Sequence, residues 1–465
     1  MPSSNTHRWW RRHWPFRSAG GAADGLGGTS SWRIAISVLA CVVVVSGCDP
    51  VLKVTVDVAA PDQGSRPNRL VVGISHTDST IGAVTSAEPR TVELGILEDI
   101  PIQNVFLMGW GTANPQPSPG QFDWSTLDER IALITSVGAE PVLTLCCAPD
   151  WMKGQPEGTT DWSLLTVAPL PDRYDEFAAL AAAAAARYPQ VRRFQVWNEM
   201  KGFHDPATNA WDAASYTDMY NAVYHAVKEV RPDAQVGGPY APIDIWSDAQ
   251  SMSHPSGVRG PWGVVDQRPL DVLTYWLEHN DGADFVSLDG WITTRDRGLI
   301  TDPFTATEVY AELTRWLAAR TDLPIWWSEV HVSDPSWNEA LQHAATTWAL
   351  TRMGEAGASV AMLWSPQAEG TSCAGCLWTD PALGPPTATA LGSSITAWSA
   401  CAPVGGRWSD AASSVPDHVS ALAIDDAVYV LNRSALTAEV LVDGDTAVVP
   451  PLAMRVAGTV YPCRR

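Results

Sequence analysis

Two glutamates offer the clearest chemistry in this sequence. Glu199 lies in the stretch Phe194-Gln-Val-Trp-Asn-Glu-Met200, and Glu329 closes Ile325-Trp-Trp-Ser-Glu. Each stands where an apolar, strand-like run ends. A charge there is costly unless something pairs or uses it. Two carboxylates held a few ångströms apart cannot both ionise cheaply, so one pKa rises. One group is then protonated and can hand a proton to a leaving oxygen. The other stays ionised and can attack carbon. Cleavage of a glycosidic bond needs that division of labour. Either short motif alone is a weak signal, so the elements that carry them decide its meaning.

From residue 70 onward, short apolar runs alternate with amphipathic stretches, the pattern of βα units around a parallel sheet. The runs cover residues 70–76, 104–110, 141–146, 194–199, 234–238, 284–289, 325–329 and 359–364. Helices are expected over 124–137, 174–188, 216–230, 273–279, 306–319 and 340–355, from apolar spacing, an Ala-rich segment and the stop at Pro232. Eight units over residues 68–401 predict an α/β fold of the (β/α)8 TIM-barrel type, whose active site lies at the C-terminal ends of the strands. The alternative, a doubly wound open sheet, calls for a Gly-rich phosphate-binding first turn, and His76-Thr-Asp-Ser is not one. Glu199 then ends the fourth strand and Glu329 the seventh, facing each other over the barrel mouth. Beyond residue 401 the texture changes to short alternating runs separated by Asn, Asp, Gly and Pro. A small C-terminal all-β domain is expected over 402–465, and residues 54–58 alternate in the same manner.

The 51 acidic residues against 30 basic ones give a formal charge of −21, which excludes nucleic acid as a partner. Tryptophan is abundant, at 23 residues. Those at strand ends suit flat platforms for the apolar faces of sugars, and the rest read as core. Residues 1–47 look like a signal peptide: Arg8, Arg11, Arg12, Arg17 and Arg33 precede an apolar run over 34–45, too short to span a bilayer. The run ends in Val45-Ser-Gly-Cys48, which resembles a bacterial lipobox. The resemblance implies lipidation at Cys48, a membrane tether outside the cytoplasm, and a linker over 48–67. An ordinary secretory signal with a chance Cys is the alternative. Export permits disulfides. Cys401 with Cys463 is the preferred long-range pair, Cys373 with Cys376 would close a small loop, and Cys146-Cys147 either bond to each other or fill a strand end.

Trp197-Asn198-Glu199 on the fourth strand and Glu329 on the seventh resemble the retaining glycoside hydrolases of clan A, over roughly residues 68–400. Within the clan the resemblance is to family 39, the β-xylosidase and α-iduronidase group. Phe122-Asp-Trp124, Pro141-Val-Leu-Thr-Leu and Arg231-Pro-Asp-Ala-Gln-Val-Gly-Gly-Pro239 support it. It implies that Glu199 is the acid/base, Glu329 the nucleophile, that Asn198 holds the hydroxyl beside the anomeric carbon, and that Trp364 floors the subsite. A carbohydrate substrate is implied, with no cofactor and no metal. The sixth run departs from the family: Ser287-Leu-Asp289-Gly-Trp291 stands where many members have His or Tyr. Asp289, Trp291, Asp150, Trp151, Tyr240, Trp110, His331 and His76 complete the candidate substrate contacts. The rival reading is a lipid-anchored carbohydrate-binding protein without turnover.

Overall fold

Among the described residues the eight apolar runs become eight parallel strands that close into a barrel. They are β1 (Val71–Ser75), β2 (Ile102–Phe106), β3 (Glu140–Leu145), β4 (Arg193–Val196), β5 (Gln235–Ile243), β6 (Phe285–Trp291), β7 (Ile325–His331) and β8 (Val360–Trp364). The structure is a computed structural model that describes residues 50–58, 66–81, 91–248, 253–334, 336–371, 373 and 375–457. A helix follows each strand in turn: α1 (Thr91–Glu98), α2 (Ser125–Ser136), α3 (Tyr174–Arg187), α4 (Ala213–Val230), α5 (Gln267–His279), α6 (Pro303–Ala318), α7 (Glu339–Ala356) and α8 (Ala390–Cys401). Side chains of Asp212, Asp266, Asp302, Asn338 and Thr389 accept from the first-turn N–H groups of α4 to α8. Each such cap contributes about 1 kcal/mol. Among the described residues no helix is long and apolar enough to cross a membrane.

The barrel interior is layered. Its lower layer is apolar, with Ile102, Val142, Phe285, Trp326, Val360 and Met362 clustered and Phe285 stacked on Trp326 at 3.9 Å. The layer above is polar and joined by hydrogen bonds. Asn104 Nδ2 donates to Ser75 Oγ at 3.2 Å, Thr144 Oγ1 to Asn104 Oδ1 at 2.7 Å, and Gln195 Nε2 to Thr144 Oγ1 at 3.1 Å. Ser328 Oγ donates to Gln195 Oε1, which ties β4 directly to β7. Side chains in a strand alternate, so these inward groups share one layer near the C-terminal ends of the strands. Replacing Gln195 by Leu would leave the buried Ser328 hydroxyl without its acceptor and remove the donor to Thr144, whose own bond to Asn104 remains. The expected loss is about 1–3 kcal/mol of stability, read from the midpoint of chemical unfolding.

His76 follows β1 and is wholly buried. Its Nδ1 lies 3.1 Å from Thr80 Oγ1 and its Nε2 2.9 Å from Gln103 Oε1. Both ring nitrogens are therefore engaged within the fold, and the expected sugar contact is replaced by a structural role. Burial pushes its pKa down from 6.5 to about 4, and burial does the same to His343. Between those values the unfolded chain binds more protons than the folded one, so stability rises with pH from about 4 to 6.5. Each histidine should withdraw up to about 3 kcal/mol as the pH falls through that window. The melting temperature is expected to drop between pH 7 and pH 4.5, and less steeply in His76→Gln.

The second domain is a mostly antiparallel eight-stranded sheet. Its strands include Arg407–Ser413, Val419–Ile424, Ala427–Asn432, Thr437–Val442, Asp445–Val449 and Ala453–Ala457. The strand Val51–Val58 lies inside this sheet, parallel to Thr437–Val442 and antiparallel to Arg407–Ser413, and Arg66–Pro67 adds a short edge. The expected linker over 48–67 is thus corrected in part. The alternation of Val54 and Val56, both buried, makes the segment a strand rather than a spacer. One face of the sheet, with Trp408, Leu422, Tyr429, Leu431 and Met454, joins the core of the barrel helices. The signal peptide, Cys48 and Cys463 lie outside the described residues.

Candidate active site

The strand ends of β4 to β7 are irregular, and the irregularity aims the side chains. Trp197, Glu199 and Met200 have φ of 69°, 49° and 52°, and Tyr240 has φ of 58°. Such left-handed conformations cost a non-glycine residue about 1–3 kcal/mol each and persist where the surroundings over-determine them. After β4 the chain turns at once. Trp197 Nε1 donates to the Lys201 carbonyl at 2.6 Å, and Lys201 N donates to the Asn198 carbonyl at 3.1 Å. Gly202 continues the turn with φ of 82°, and a Cβ there would stand 2.3 Å from Ala168 N. Trp197 is wholly buried against Phe177 and Phe203, so it builds the turn.

In β7, Trp326 and Ser328 face the interior, and simple alternation would send Glu329 outward. The β6–β7 register shifts between Leu288 and Asp289, so that Asp289 pairs with Glu329 and Trp291 with His331. A bulge of this kind re-aims a side chain. Glu329 thereby turns in beside Asp289. A matching shift in the β5–β6 pairing skips Tyr240, whose N–H donates to Ser287 Oγ at 3.1 Å.

The groups that result are tightly linked. Tyr240 Oη donates to Glu329 Oε1 at 2.5 Å, and His331 Nε2 lies 3.1 Å from Glu329 Oε2. Burial, and then the Glu329 charge, hold the Tyr240 hydroxyl well above its usual pKa, so it remains a donor. Asp289 is wholly buried, and among the described residues neither of its oxygens has a hydrogen-bond partner. Burial and then the Glu329 charge raise its pKa well above the usual carboxylate range. Lys201 Nζ pairs with Glu199 Oε2. Burial pushes the Lys201 pKa down to about 8, against the opposing pull of Glu329 and Asp289. Lys201 therefore lies within the field of all three carboxylates, which places both glutamates in one site. The amide of Asn198 is buried without a partner for either polar atom among the described residues.

An aromatic arc borders these carboxylates. Trp291, 37% exposed, stacks on His331 at 3.8 Å, His331 lies 6.4 Å from Trp364, and Trp364 lies 6.3 Å from Trp110. The Lys201 ammonium stands 5.6 Å from the centre of the Trp110 ring. Glu199, Glu329, Asp289, Tyr240, His331, Trp291, Trp364 and Trp110 thus form one constellation. Asp150 and Trp151 are engaged elsewhere. The Asp150 carboxylate accepts from Asp161 N at 2.5 Å and faces Lys153 at 3.7 Å, while Trp151 Nε1 donates to the Gln116 carbonyl at 2.9 Å. Both are buried and brace the loop after β3.

Lys201 was not apparent in the sequence as a site residue, although the chain has only four lysines and this one stands two residues past Glu199. The disulfides Cys146–Cys147 and Cys373–Cys376 are formed, the first at the end of β3. Cys401 is also disulfide-bonded.

The fold and site define a (β/α)8 barrel with an attached β sheet and carboxylates gathered at the strand C-termini. No family model matches the sequence, and no curated protein matches it. Solved structures do match in fold. A monomeric β-xylosidase from Caulobacter crescentus superposes with a TM-score of 0.56 at 16% identity, over 84% of this chain and 83% of that one. A GH39 enzyme from Xanthomonas axonopodis pv. citri gives 0.55 at 17%, over 83% and 76%. SrfJ from Salmonella typhimurium gives 0.58 at 12%, over 88% and 92%.

Proposed function

We propose that this protein is a retaining glycoside hydrolase, with Glu329 as nucleophile and Glu199 as acid/base. The observation that carries the reading is the gathering of Glu199 and Glu329 around Lys201 at the C-terminal ends of β4 and β7. The fold it shares with a β-xylosidase and a GH39 enzyme supports the same class. Tyr240 and His331 orient the Glu329 carboxylate from two sides, which sets an oxygen toward an anomeric carbon above it. Attack forms a glycosyl ester on Glu329 as Glu199 donates its proton to the departing oxygen. Glu199 then takes a proton from water, which cleaves the ester. Asn198, buried with unused donor and acceptor, suits the hydroxyl beside the anomeric carbon. Trp364 and Trp110 provide apolar ring surface for the sugar, and Asp289 a further hydroxyl contact.

The lipobox-like ending at Cys48 supports a location outside the cytoplasm on a lipid anchor, with an oligo- or polysaccharide as substrate. Turnover of aryl glycosides tests the enzyme reading, with the α and β forms of several sugars in the panel. No turnover of any of these or of polysaccharides, together with measurable sugar binding, would favour the binding-protein reading. Radiolabelled palmitate incorporation that is lost in Cys48→Ala tests the anchor.

A further inference from the structure

We propose that Asp289, Glu329 and His331 form a binding site for one divalent transition-metal ion of the zinc type. One ligand atom from each residue lies within 4.8 Å of the others. The strand register creates this grouping, because Asp289 pairs with Glu329 and Trp291 with His331 across β6 and β7. Asp289 points a wholly buried carboxylate into the group with neither oxygen partnered among the described residues. A buried carboxylate with no hydrogen-bond partner is costly, and a bound metal ion would ligate the oxygens that Lys201 leaves unbonded. The nearby ammonium of Lys201 is paired with Glu199.

The donor set selects the ion. Two carboxylates and an imidazole suit borderline ions such as zinc better than magnesium or calcium, which take oxygen ligands. Donors on a tetrahedral zinc stand roughly 3.4 Å apart, given bond lengths of about 2.0–2.2 Å. His331 Nε2 and Glu329 Oε2 already lie 3.1 Å apart, so a movement of Asp289 completes the spacing. The surroundings fix the ligands: Tyr240 Oη holds Glu329 Oε1 at 2.5 Å, and Trp291 stacks on the His331 ring at 3.8 Å. Such outer contacts orient metal ligands and tune affinity. Cys146, Cys147, Cys373, Cys376 and Cys401 are disulfide-bonded and do not compete as thiolates. Because the ion occupies Glu329, metal and glycoside exclude each other. That consequence rests on the proposed function, whereas binding itself does not.

The test is calorimetric titration of the EDTA-treated full-length chain with zinc chloride, and visible absorption with cobalt chloride, on wild type, Asp289→Asn and His331→Gln. Wild type is expected to take up one zinc per chain, with visible bands from the cobalt form, and each variant to bind at least about tenfold more weakly. No saturable one-to-one uptake by wild type would overturn the proposal. So would unchanged affinity in either folded variant, with folding checked by thermal melting. His331 is on the rim and partly exposed, so His331→Gln carries the test should Asp289→Asn fail to fold. Competitive inhibition by zinc of aryl-glycoside turnover forms a separate arm. It fails if the protein is not a glycosidase, whereas the titration does not.

Discussion

Glu329→Gln is expected to lower turnover of an activated aryl glycoside by at least about 10⁴-fold, the scale seen when a covalent nucleophile is removed. The amide is isosteric and keeps an acceptor for the Tyr240 hydroxyl, which lies 2.5 Å from the carboxylate in the wild type. It cannot attack carbon. The change also removes a charge beside Asp289, whose own pKa is raised by burial and by Glu329. Stability should therefore be unchanged or slightly higher than in the wild type, as expected where a site maintains like charges for chemistry. Comparison of kcat/KM and of the melting temperature on the same preparation checks both parts. A variant equally inactive but strongly destabilised would point to a structural role for Glu329.

Glu199→Gln should behave differently in two respects. Loss of a general acid costs about 10²–10⁴-fold for leaving groups that need protonation. Leaving groups that depart as stable anions need no proton, so their glycosyl-enzyme should still form and then accumulate. The dependence on leaving group separates the two glutamates kinetically. The second difference is stability, since Glu199 is the ion-pair partner of Lys201. Removing one member of a buried pair usually costs about 3–5 kcal/mol. Here Glu329 and Asp289 still face Lys201, so the cost should fall below that range. A fold-neutral variant with full activity on unactivated glycosides would remove Glu199 from the mechanism.

The barrel was legible because its signals are local. Eight apolar runs at regular intervals, with capped helices between them, follow from the side-chain periodicity of each segment. Counting them also placed Glu199 and Glu329 on the fourth and seventh strands before any contact was known. What escaped the sequence was non-local. The Val51–Val58 strand pairs with Thr437–Val442, hundreds of residues away. His76 could be read as a sugar contact or as a satisfied loop histidine, and Gln103, which decides for the second, meets it only in the fold. Lys201 follows a turn, where lysine ordinarily points to solvent, and only the left-handed backbone at Trp197, Glu199 and Met200 carries it into the mouth. The grouping of Asp289 with Glu329 and His331 depends on a register shift that no periodicity encodes. Tryptophan composition was ambiguous for the same reason. Trp197, Trp262, Trp276, Trp327, Trp378 and Trp408 are wholly or nearly wholly buried, while Trp110, Trp291 and Trp364 border the site.

The most direct test is intact mass after incubation with activated 2-deoxy-2-fluoro glycosides of xylose, arabinose, glucose, galactose and mannose, in both anomers. The electron-withdrawing fluorine slows both steps, so a retaining enzyme is trapped as its glycosyl ester. A single adduct of one fluorosugar is expected, mapped by peptide sequencing to Glu329 and absent from Glu329→Gln. An adduct on another carboxylate, such as Asp289 or Glu199, would contradict it.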